Sequence, residues 1–245
     1  MLVETEAVEF SHLDSERFGI RAARAHITPQ NLSRTLDYCV GNKTDLLIAR
    51  CGTGDIAAAQ QMEKEGFLLM DTLVYYGFDL SKRQVPEGTT GLQVRPLRPK
   101  DEEHVLAVAS KAFKGYIGHY HADRRLDRGK CDEAYVSWAE RSCRRAAADE
   151  VLVAVLGDNL AGFGTLRMNS SKESEGLLFA VAPEWQRKGV CPALLNHSLA
   201  WSRSQGASRM VISTQITNVS MQKIWCRAGF EFSHAFYTFH KWFDK

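Results

Sequence analysis

The stretch VAPEWQRKGVCP, residues 181–192, joins a predicted strand to the first turn of a predicted helix. Backbone N–H groups at the start of a helix lack partners within the helix, and the helix dipole adds partial positive charge there. Gly189 allows the backbone to approach a ligand closely, while Arg187 and Lys188 can neutralise phosphate charge. The stretch therefore predicts an anion-binding turn, and a solvated basic loop at a helix end is the alternative that composition leaves open.

Residues 92–245, on both sides of this turn, show strand and helix patterns in alternation. Apolar runs bounded by Gly, Pro or polar residues indicate strands, and apolar residues spaced three and four apart indicate helices. The predicted strands are Leu92–Leu97, Val151–Leu156, Leu160–Met168, Gly176–Val181 and Met210–Ser213, with a last pair of strands from Phe230. The predicted helices start at Asp101, cover Asp132–Ala147, follow Gly189 and follow Asn218.

The order strand, polar loop, helix, Gly-Phe and strand occurs twice in the sequence. In the first copy, a strand at Leu46–Ala49 precedes a helix at Ile56–Glu65 and then Gly66-Phe67. In the second copy, the strand at Met210–Ser213 precedes a helix and then Gly229-Phe230. Units of this βαβ type are common, so coincidence is the alternative to the shared architecture that we expect.

The segment SKRQVPEGTTG, residues 81–91, combines charge, Pro and Gly with almost no apolar content, which is typical of a linker. It divides the chain into two predicted domains, residues 1–80 and residues 92–245, both of ordinary size. The chain of 245 residues has a net charge of +2, with 44% hydrophobic and 24% charged residues. This composition excludes a disordered tail, a coiled coil, a collagen-like repeat and a multi-span membrane protein.

The same composition gives no overall field that would attract nucleic acid or an anionic membrane, so neither is an expected partner. The six cysteines lie far apart, without a CxxC pair or a Cys/His cluster of zinc spacing, so we expect no metal. The N-terminus lacks the basic start and apolar run of a secretion signal. A cytoplasmic protein with reduced thiols is the resulting expectation.

The turn resembles a known family signature. Gln186-Arg187-Lys188-Gly189-Val190-Cys191 is similar to the acetyl-CoA signature Q/R-x-x-G-x-G/A of the GNAT acyltransferases. Asn218, Met221, Ile224, Trp225, Gly229 and Phe230 match the spacing of that family's N-x-x-A-x-x-L-Y-x-x-x-G-F pattern. The two motifs stand in family order and cover about residues 92–245. The resemblance implies an α/β fold, with a mixed, mostly antiparallel central sheet flanked by helices.

The resemblance also implies acetyl-CoA, or another short acyl-CoA, as co-substrate and no metal. In the family, the turn binds the CoA pyrophosphate, the end of the preceding strand pairs with the pantetheine arm, and the asparagine of the next loop contacts CoA. Carried over by matching position, the candidate CoA-binding residues are Phe179, Ala180, Val181, Gln186, Arg187, Lys188, Gly189, Val190, Cys191, Pro192, Asn218, Lys223 and Trp225.

Further motifs resemble two-part GNAT enzymes that acylate nucleotide-linked amino sugars, of the dTDP-fucosamine acetyltransferase type. They are Leu13–Gly19, Gly118–Asp123, Thr214-Gln215-x-x-Asn218 and Tyr237–Trp242. In such proteins the front part is a degenerate GNAT half without a CoA site, which fits the missing signature in residues 1–80. The implied partner is a small-molecule amine, and a homodimer is the candidate oligomeric state. The implied acceptor-site residues are Tyr116, His119, Tyr120, His121, Thr214, Gln215 and His240.

Two positions depart from the family pattern. Cys191 replaces the last small residue of the turn, a change that acyl-CoA binding should tolerate. Trp225 replaces the tyrosine that protonates the departing thiolate in the family, and an indole N–H can donate a hydrogen bond without giving up its proton. Release of the thiolate would then rest on stabilisation alone or on another donor, for which Tyr237 and His240 are candidates.

The expected reaction is direct attack of a neutral amine on the thioester in a ternary complex. A backbone N–H near Val181 is the candidate oxyanion donor. Glu184, His119, His121 and His240 are candidates for the base by residue type alone. The same fold can acylate a peptide, polyamine, antibiotic or amino acid, and a non-catalytic acyl-CoA-binding regulator is a further alternative motivated by Trp225.

Overall fold

The computed structural model describes residues 8–84 and 92–243 of the chain. The chain divides into two compact units that are not contiguous halves. The first comprises residues up to Val74 together with Ile117–Cys131 and His234–Lys245, and the second comprises Tyr75–Tyr116 and Asp132–Ser233. The division into residues 1–80, 81–91 and 92–245 stays a prediction, since residues 85–91 of the linker lie outside the described residues.

The first unit contains a sheet with helices packed on it. Its elements are β1 (Glu9–Phe10), α1 (His12–Phe18), β2 (Ala22–His26), α2 (Leu32–Gly41), β3 (Leu46–Gly52), α3 (Ile56–Lys64), the start of β4 (Leu68–Asp79), α5 (His119–Ala122), the start of α6 (Arg128–Cys143) and most of β10 (Glu231–Trp242). Strand order is β1-β2-β3-β10, and only the β2–β3 ladder of these is parallel. Its apolar core includes Leu47, Met62, Phe67 and Phe239.

The second unit contains the remaining elements. They are the end of β4, β5 (Gln93–Pro96), α4 (Glu102–Ala112), most of α6, β6 (Glu150–Leu156), β7 (Asn159–Met168), β8 (Glu173–Val181), α7 (Val190–Ser204), β9 (Arg209–Gln215), α8 (Val219–Arg227) and the start of β10. Strand order is β4-β9-β8-β7-β6-β5, with β8 and β9 parallel. The predicted mixed, mostly antiparallel sheet flanked by helices is thereby confirmed.

The repeat seen in the sequence is present in the structure, and its two copies align with no insertion or deletion. β3 spans residues 46–52 and β9 spans 209–215, which is 163 positions later. The same offset relates α3 to α8, the left-handed Gly66 to Gly229, and β4 to β10. Both helices begin with a side-chain cap, from Asp55 and Asn218 respectively. The two copies therefore share one architecture, because equivalent positions take the same conformation over this whole segment.

The copies differ immediately before this segment. From the end of β2 at His26 to the end of α2 at Gly41 is 15 residues. From the end of β8 at Val181 to the end of α7 at Ser204 is 23 residues. The first copy is thus eight residues shorter at the position where the second carries the turn of residues 182–189.

Two predicted elements are placed differently. The helix expected at Asp132–Ala147 is α6, Arg128–Cys143. It starts earlier because the Asp127 carboxylate accepts a hydrogen bond from the Lys130 N–H at 2.9 Å, and the left-handed Arg145 follows its end. The last pair of strands is one strand, β10, since EFSHAFYTFHKW contains neither Gly nor Pro to form a turn.

The predicted absence of a secretion signal concerns residues 1–7, which lie outside the described residues. Among the helices that the structure describes, none combines the length and the apolar character needed to cross a bilayer.

Candidate acyl-donor and acceptor sites

The turn before α7 has the backbone conformation of an anion site. Arg187 has φ 61° and Gly189, which caps α7, has φ 78°. Left-handed residues interleaved with ordinary ones turn successive N–H groups toward a common concave side, where an anion binds. The side chains of Gln186, Arg187 and Lys188 are exposed. The α7 N-terminus adds the partial positive charge of its dipole to this concavity.

The strand that leads into the turn is bulged and then separates from its parallel neighbour. Thr165 of β7 is opposite Leu178 of β8, whereas Leu166 is opposite Gly176, so Leu177 is an extra residue in β8. Within the described residues, the β8–β9 ladder pairs Glu173–Gly176 with Arg209–Ile212, while β8 continues to Val181. Bulges aim side chains and end pairing next to functional sites. Phe179, Ala180 and Val181 lie on this separated part.

The first turns of α7 and α8 lie side by side. Cys191 Sγ is 4.0 Å from Met221 Sδ, and burial raises the pKa of the Cys191 thiol to about 12. This thiol therefore stays neutral beside the turn. Asn218 caps α8, accepting from the Met221 N–H at 3.3 Å and donating to Thr214 Oγ1 at 3.0 Å. Thr214, a predicted acceptor-site residue, thus positions the asparagine predicted to contact CoA.

Trp225 is a buried side chain whose polar atom is left without a partner. It is 3% exposed, packs against the Tyr76 ring at 5.6 Å between centroids, and its indole Nε1 makes no hydrogen bond with the described residues. A buried donor without an acceptor costs roughly 1–3 kcal/mol, and such groups are rare in native structures. The position that departs from the family tyrosine therefore carries a buried donor with no acceptor among the described residues.

Two predicted acceptor-site residues meet at the end of β9. The Tyr116 hydroxyl donates a hydrogen bond to Gln215 Oε1. The Tyr116 ring packs edge-on against Phe113 and Tyr135, at 5.6 and 5.2 Å between centroids. This packing fixes the tyrosine at the end of the loop that follows α4.

The remaining acceptor-site candidates belong to the first unit, where the loop of residues 118–123 meets β10. Asp123 Oδ2 lies 2.7 Å from His240 Nδ1, and His240 Nε2 lies 3.0 Å from His119 Nδ1. Trp242 Nε1 donates to the same Asp123 oxygen at 2.9 Å, and the Arg125 N–H donates to the other at 2.9 Å. The structure therefore brings two predicted residues, His119 and His240, into direct contact and adds Asp123, which holds His240 from its other side.

The other two residues of this loop are held by local contacts. Tyr120 donates to Asp14 at 2.7 Å and accepts from Arg24 at 2.6 Å, and burial raises its pKa to about 12. His121 Nδ1 accepts from the Gly118 N–H at 3.3 Å, which closes the short helix α5. Both side chains thus serve to build the loop, in addition to any contact they make with an acceptor.

Tyr237 and His240 cannot share a face of β10, because they are three positions apart and side chains alternate along a strand. Tyr237 packs with Phe239 against the apolar core of the first unit. His240 belongs to the opposite face, with Trp242 and Asp123. A catalytic role for Tyr237 stays a prediction.

Two other sequence candidates are exposed. Glu184 pairs with Lys111 at 3.2 Å, and hydrogen bonds from its own backbone and from Lys111 hold the pKa of its carboxyl below the usual range. A carboxylate with a lowered pKa is a weaker base. Lys223 lies on the exposed side of α8. Among the described residues, no group of His, Cys, Asp or Glu has the arrangement of a metal site.

Neither Asp123 nor Trp242 was among the site residues predicted from the sequence, although both contact the histidine pair or its carboxylate partner. The available signals were local: Asp123 follows His119 by four positions, and Trp242 follows His240 by two positions on one face of a strand. Neither spacing indicates that Asp123 contacts His240 and Trp242, because these residues are more than a hundred positions away in the chain.

The chain is similar to known acetyltransferases. Residues 113–230 match the acetyltransferase (GNAT) family model. Spore coat polysaccharide biosynthesis protein SpsD of Bacillus subtilis (strain 168) is 23% identical over 253 residues, covering 99% of this chain and 83% of that protein.

Two solved structures show the same fold at low identity. A GCN5-related N-acetyltransferase from Sphaerobacter thermophilus has a TM-score of 0.65 and 15% identity, covering 96% of this chain and 76% of that one. A tandem GNAT protein from the clavulanic acid biosynthesis pathway has a TM-score of 0.64 and 14% identity, covering 91% of this chain and 76% of that one. These similarities show that the chain shares the fold of the two proteins.

Proposed function

We propose that the acceptor of this protein is the amine of a nucleotide-linked amino sugar. The premise is that the chain carries a GNAT acetyltransferase domain and is thus an acyl-CoA-dependent N-acyltransferase. The group transferred is acetyl or another short acyl. The observation that carries the donor half of the proposal is the turn of residues 186–192, whose left-handed Arg187 and Gly189 form an anion-binding backbone ahead of α7. The acceptor half is supported by similarity to a protein named for polysaccharide biosynthesis.

The residues present fit an acyl-CoA. The backbone N–H groups of the turn and the Arg187 side chain would hold the pyrophosphate, because both supply donors and positive charge at an exposed site. The separated end of β8, Phe179–Val181, offers backbone groups to an extended arm. The bound thioester supplies an activated acyl group for attack by an amine. A backbone N–H near Val181 would stabilise the oxyanion that forms.

Trp225 has a defined task in this proposal. Its buried Nε1–H donates a hydrogen bond to the departing sulfur and stabilises the thiolate, without transferring a proton. Its burial and its packing against Tyr76 hold the indole in place, so that little reorganisation is needed.

The test measures thiol release from acetyl-CoA with nucleotide-linked amino sugars, and with peptides, polyamines and amino acids as the competing acceptor classes. We expect turnover with an amino-sugar nucleotide. Turnover confined to another class would contradict the proposed acceptor. Calorimetric binding of CoA without transfer to any amine would show a regulator instead of an enzyme.

In the same assay, Trp225→Phe removes the indole donor while keeping an aromatic ring. We expect kcat to fall about 10- to 100-fold, the value of one hydrogen bond to a charged group, with KM for acetyl-CoA nearly unchanged. Trp225→Tyr restores a proton donor and should raise kcat above that of the natural protein. Trp201→Phe, in α7, is the matched control and should leave kcat unchanged. An unaltered kcat in Trp225→Phe would rule out the assigned task.

A further inference from the structure

The gap between β8 and β9 is closed at one end and open at the other. Within the described residues, its closed end is the last ladder pair, Gly176 with Ile212. Its open end is at Val181, where β8 leads into the turn of residues 182–189. A strand rises about 3.3 Å per residue, so the gap extends about 17 Å along β8. Both strands, β7 and the turn belong to the second unit, so this unit alone contains the whole gap.

The bulge at Leu177 decides which side chains line the closed end. Phe179 is opposite Gly164 of β7, and Gly176 is opposite Leu166, two positions further along β7. Directly opposite residues share a face of the sheet, and so do residues two positions apart on one strand. Phe179 and Gly176 therefore share a face although they are three positions apart. Without the extra residue, they would lie on opposite faces.

The Phe179 ring lies against the backbone of two glycines at this end of the gap. A Cβ atom placed on Gly164 would be 2.6 Å from Phe179 Cε1, and one placed on Gly176 would be 2.7 Å from Phe179 Cε2. Carbon atoms in contact are normally about 3.5–4.0 Å apart, so a side chain at either position would push the ring away. The two glycines thus allow the ring to lie close to both β7 and β8.

Two side chains of β9 complete the closed end. The same Cβ position on Gly176 would be 2.7 Å from Ile212 Cγ2 and 3.0 Å from Met210 Cε. Ile212 and Met210 are fully buried, whereas Phe179 is partly exposed. The Phe179 ring is therefore the member of this apolar group that a ligand lying in the gap can contact.

We propose that Phe179 sets the length of the acyl group that the protein accepts, because its ring fills the closed end of the gap. The inference rests on the proposed function for the position of the acyl-CoA. With the pyrophosphate at the turn, an arm lying in the gap runs from the open end toward Gly176, so its thioester and acyl group lie nearest the closed end. The Phe179 ring and Ile212 limit the room there, which favours acetyl over longer acyl groups.

Calorimetric titration with acetyl-, propionyl- and butyryl-CoA tests this inference without any acceptor. One methylene more or less in an apolar pocket changes recognition by about 10- to 200-fold. We therefore expect the natural protein to bind butyryl-CoA at least about 10-fold more weakly than acetyl-CoA, with propionyl-CoA between them. Equal affinities for acetyl-CoA and butyryl-CoA would overturn the inference.

The decisive variant is Phe179→Ala, which removes the ring and should abolish most of the difference between acetyl-CoA and butyryl-CoA. Phe179→Leu keeps an apolar side chain of intermediate size and should give an intermediate ratio of dissociation constants. It serves where Phe179→Ala fails to fold. Phe10→Ala, at a partly buried phenylalanine of β1 in the first unit, is the control and should keep the ratio of the natural protein. An unchanged ratio in the folded Phe179 variants would overturn the assignment.

Turnover provides a second readout of the same selectivity. With any amine that the protein acylates, Phe179→Ala should raise kcat/KM for butyryl-CoA relative to that for acetyl-CoA by at least about 10-fold. A relative kcat/KM equal to that of the natural protein would contradict the inference while leaving the proposed acceptor intact. Absence of transfer to every amino sugar would instead contradict the proposed function, and the affinities for the three acyl-CoA molecules would still decide the role of Phe179.

Discussion

His119 lies in an environment that opposes a positive charge on its ring. Its pKa lies well below 6.5 in the folded protein because it is buried beside His240 and two arginines, whereas in the unfolded chain it is free to titrate normally. Below pH 6.5 the unfolded state therefore binds more protons than the folded state, and stability falls with decreasing pH. Above that pH the residue is neutral in both states and contributes no pH dependence.

This fall in stability with decreasing pH can be measured by urea unfolding at a series of pH values. Between about pH 6.5 and pH 4.5 we expect the free energy of unfolding to decline by at most about 1.4 kcal/mol per pH unit from this one group. His119→Gln should remove that part of the slope. The loss caused by the buried Asp14, whose pKa is lowered by Arg24 in spite of its burial, should remain in both proteins at still lower pH. Equal slopes from pH 6.5 to 4.5 would contradict the environment assigned to His119.

At the scale of elements, the duplicated helices α3 and α8 offer a matched comparison. Asp55 accepts from the Ala58 N–H at 2.9 Å and Asn218 accepts from the Met221 N–H at 3.3 Å, at equivalent positions of the two copies. Replacing either by Ala removes a helix cap and should destabilise the protein by about 1 kcal/mol. Only Asn218→Ala should also raise KM for acyl-CoA, because only α8 belongs to the proposed donor site.

Steady-state kinetics and chemical denaturation of both variants decide the comparison. A rise of KM in Asp55→Ala would show that the effect comes from lost stability and not from the site. An unchanged KM in Asn218→Ala, with the expected loss of stability, would limit this asparagine to a structural role.

Elements governed by short-range periodicity were predictable. The helix after Asn218 and the strand Met210–Ser213 follow from local spacing and appear as α8 and β9. The turn at Gly189 was predictable because its glycine takes a left-handed conformation that few other residues adopt readily. The prediction placed the start of α6 four residues too late. The helix begins where the Asp127 side chain accepts from the Lys130 N–H, and the spacing of apolar residues carries no sign of this cap.

The acceptor-side geometry could not be read from the sequence. His119 and His240 were both candidates by residue type, yet their contact joins a loop to a strand 121 positions away. Hydrogen bonds between such distant segments leave no periodic trace, because each side needs only one suitable residue at one position. The same holds for Tyr116 and Gln215, whose pairing depends on where α4 and β9 end.

At the scale of the whole molecule, the duplication predicts how many acyl-CoA molecules the protein binds. The two copies agree position by position from β3 and β9 onward, but the first is eight residues shorter where the second forms the anion-binding turn. A helix start alone lacks the left-handed pair of residues and the basic side chains that the turn supplies. We therefore expect one CoA per chain by calorimetry, in spite of two related halves.

Arg187→Ala tests which half binds, because it removes charge from the turn without altering the first copy. We expect it to weaken CoA binding and to reduce the salt dependence of the dissociation constant, since one phosphate-facing charge is lost. Arg34→Ala, in the helix α2 that corresponds to α7, is the control and should change neither quantity. A stoichiometry of two, or equal effects of the two substitutions, would mean that the shorter half retains a site. The proposed function places CoA binding in the second half, where a helix start and a turn with left-handed residues occur together.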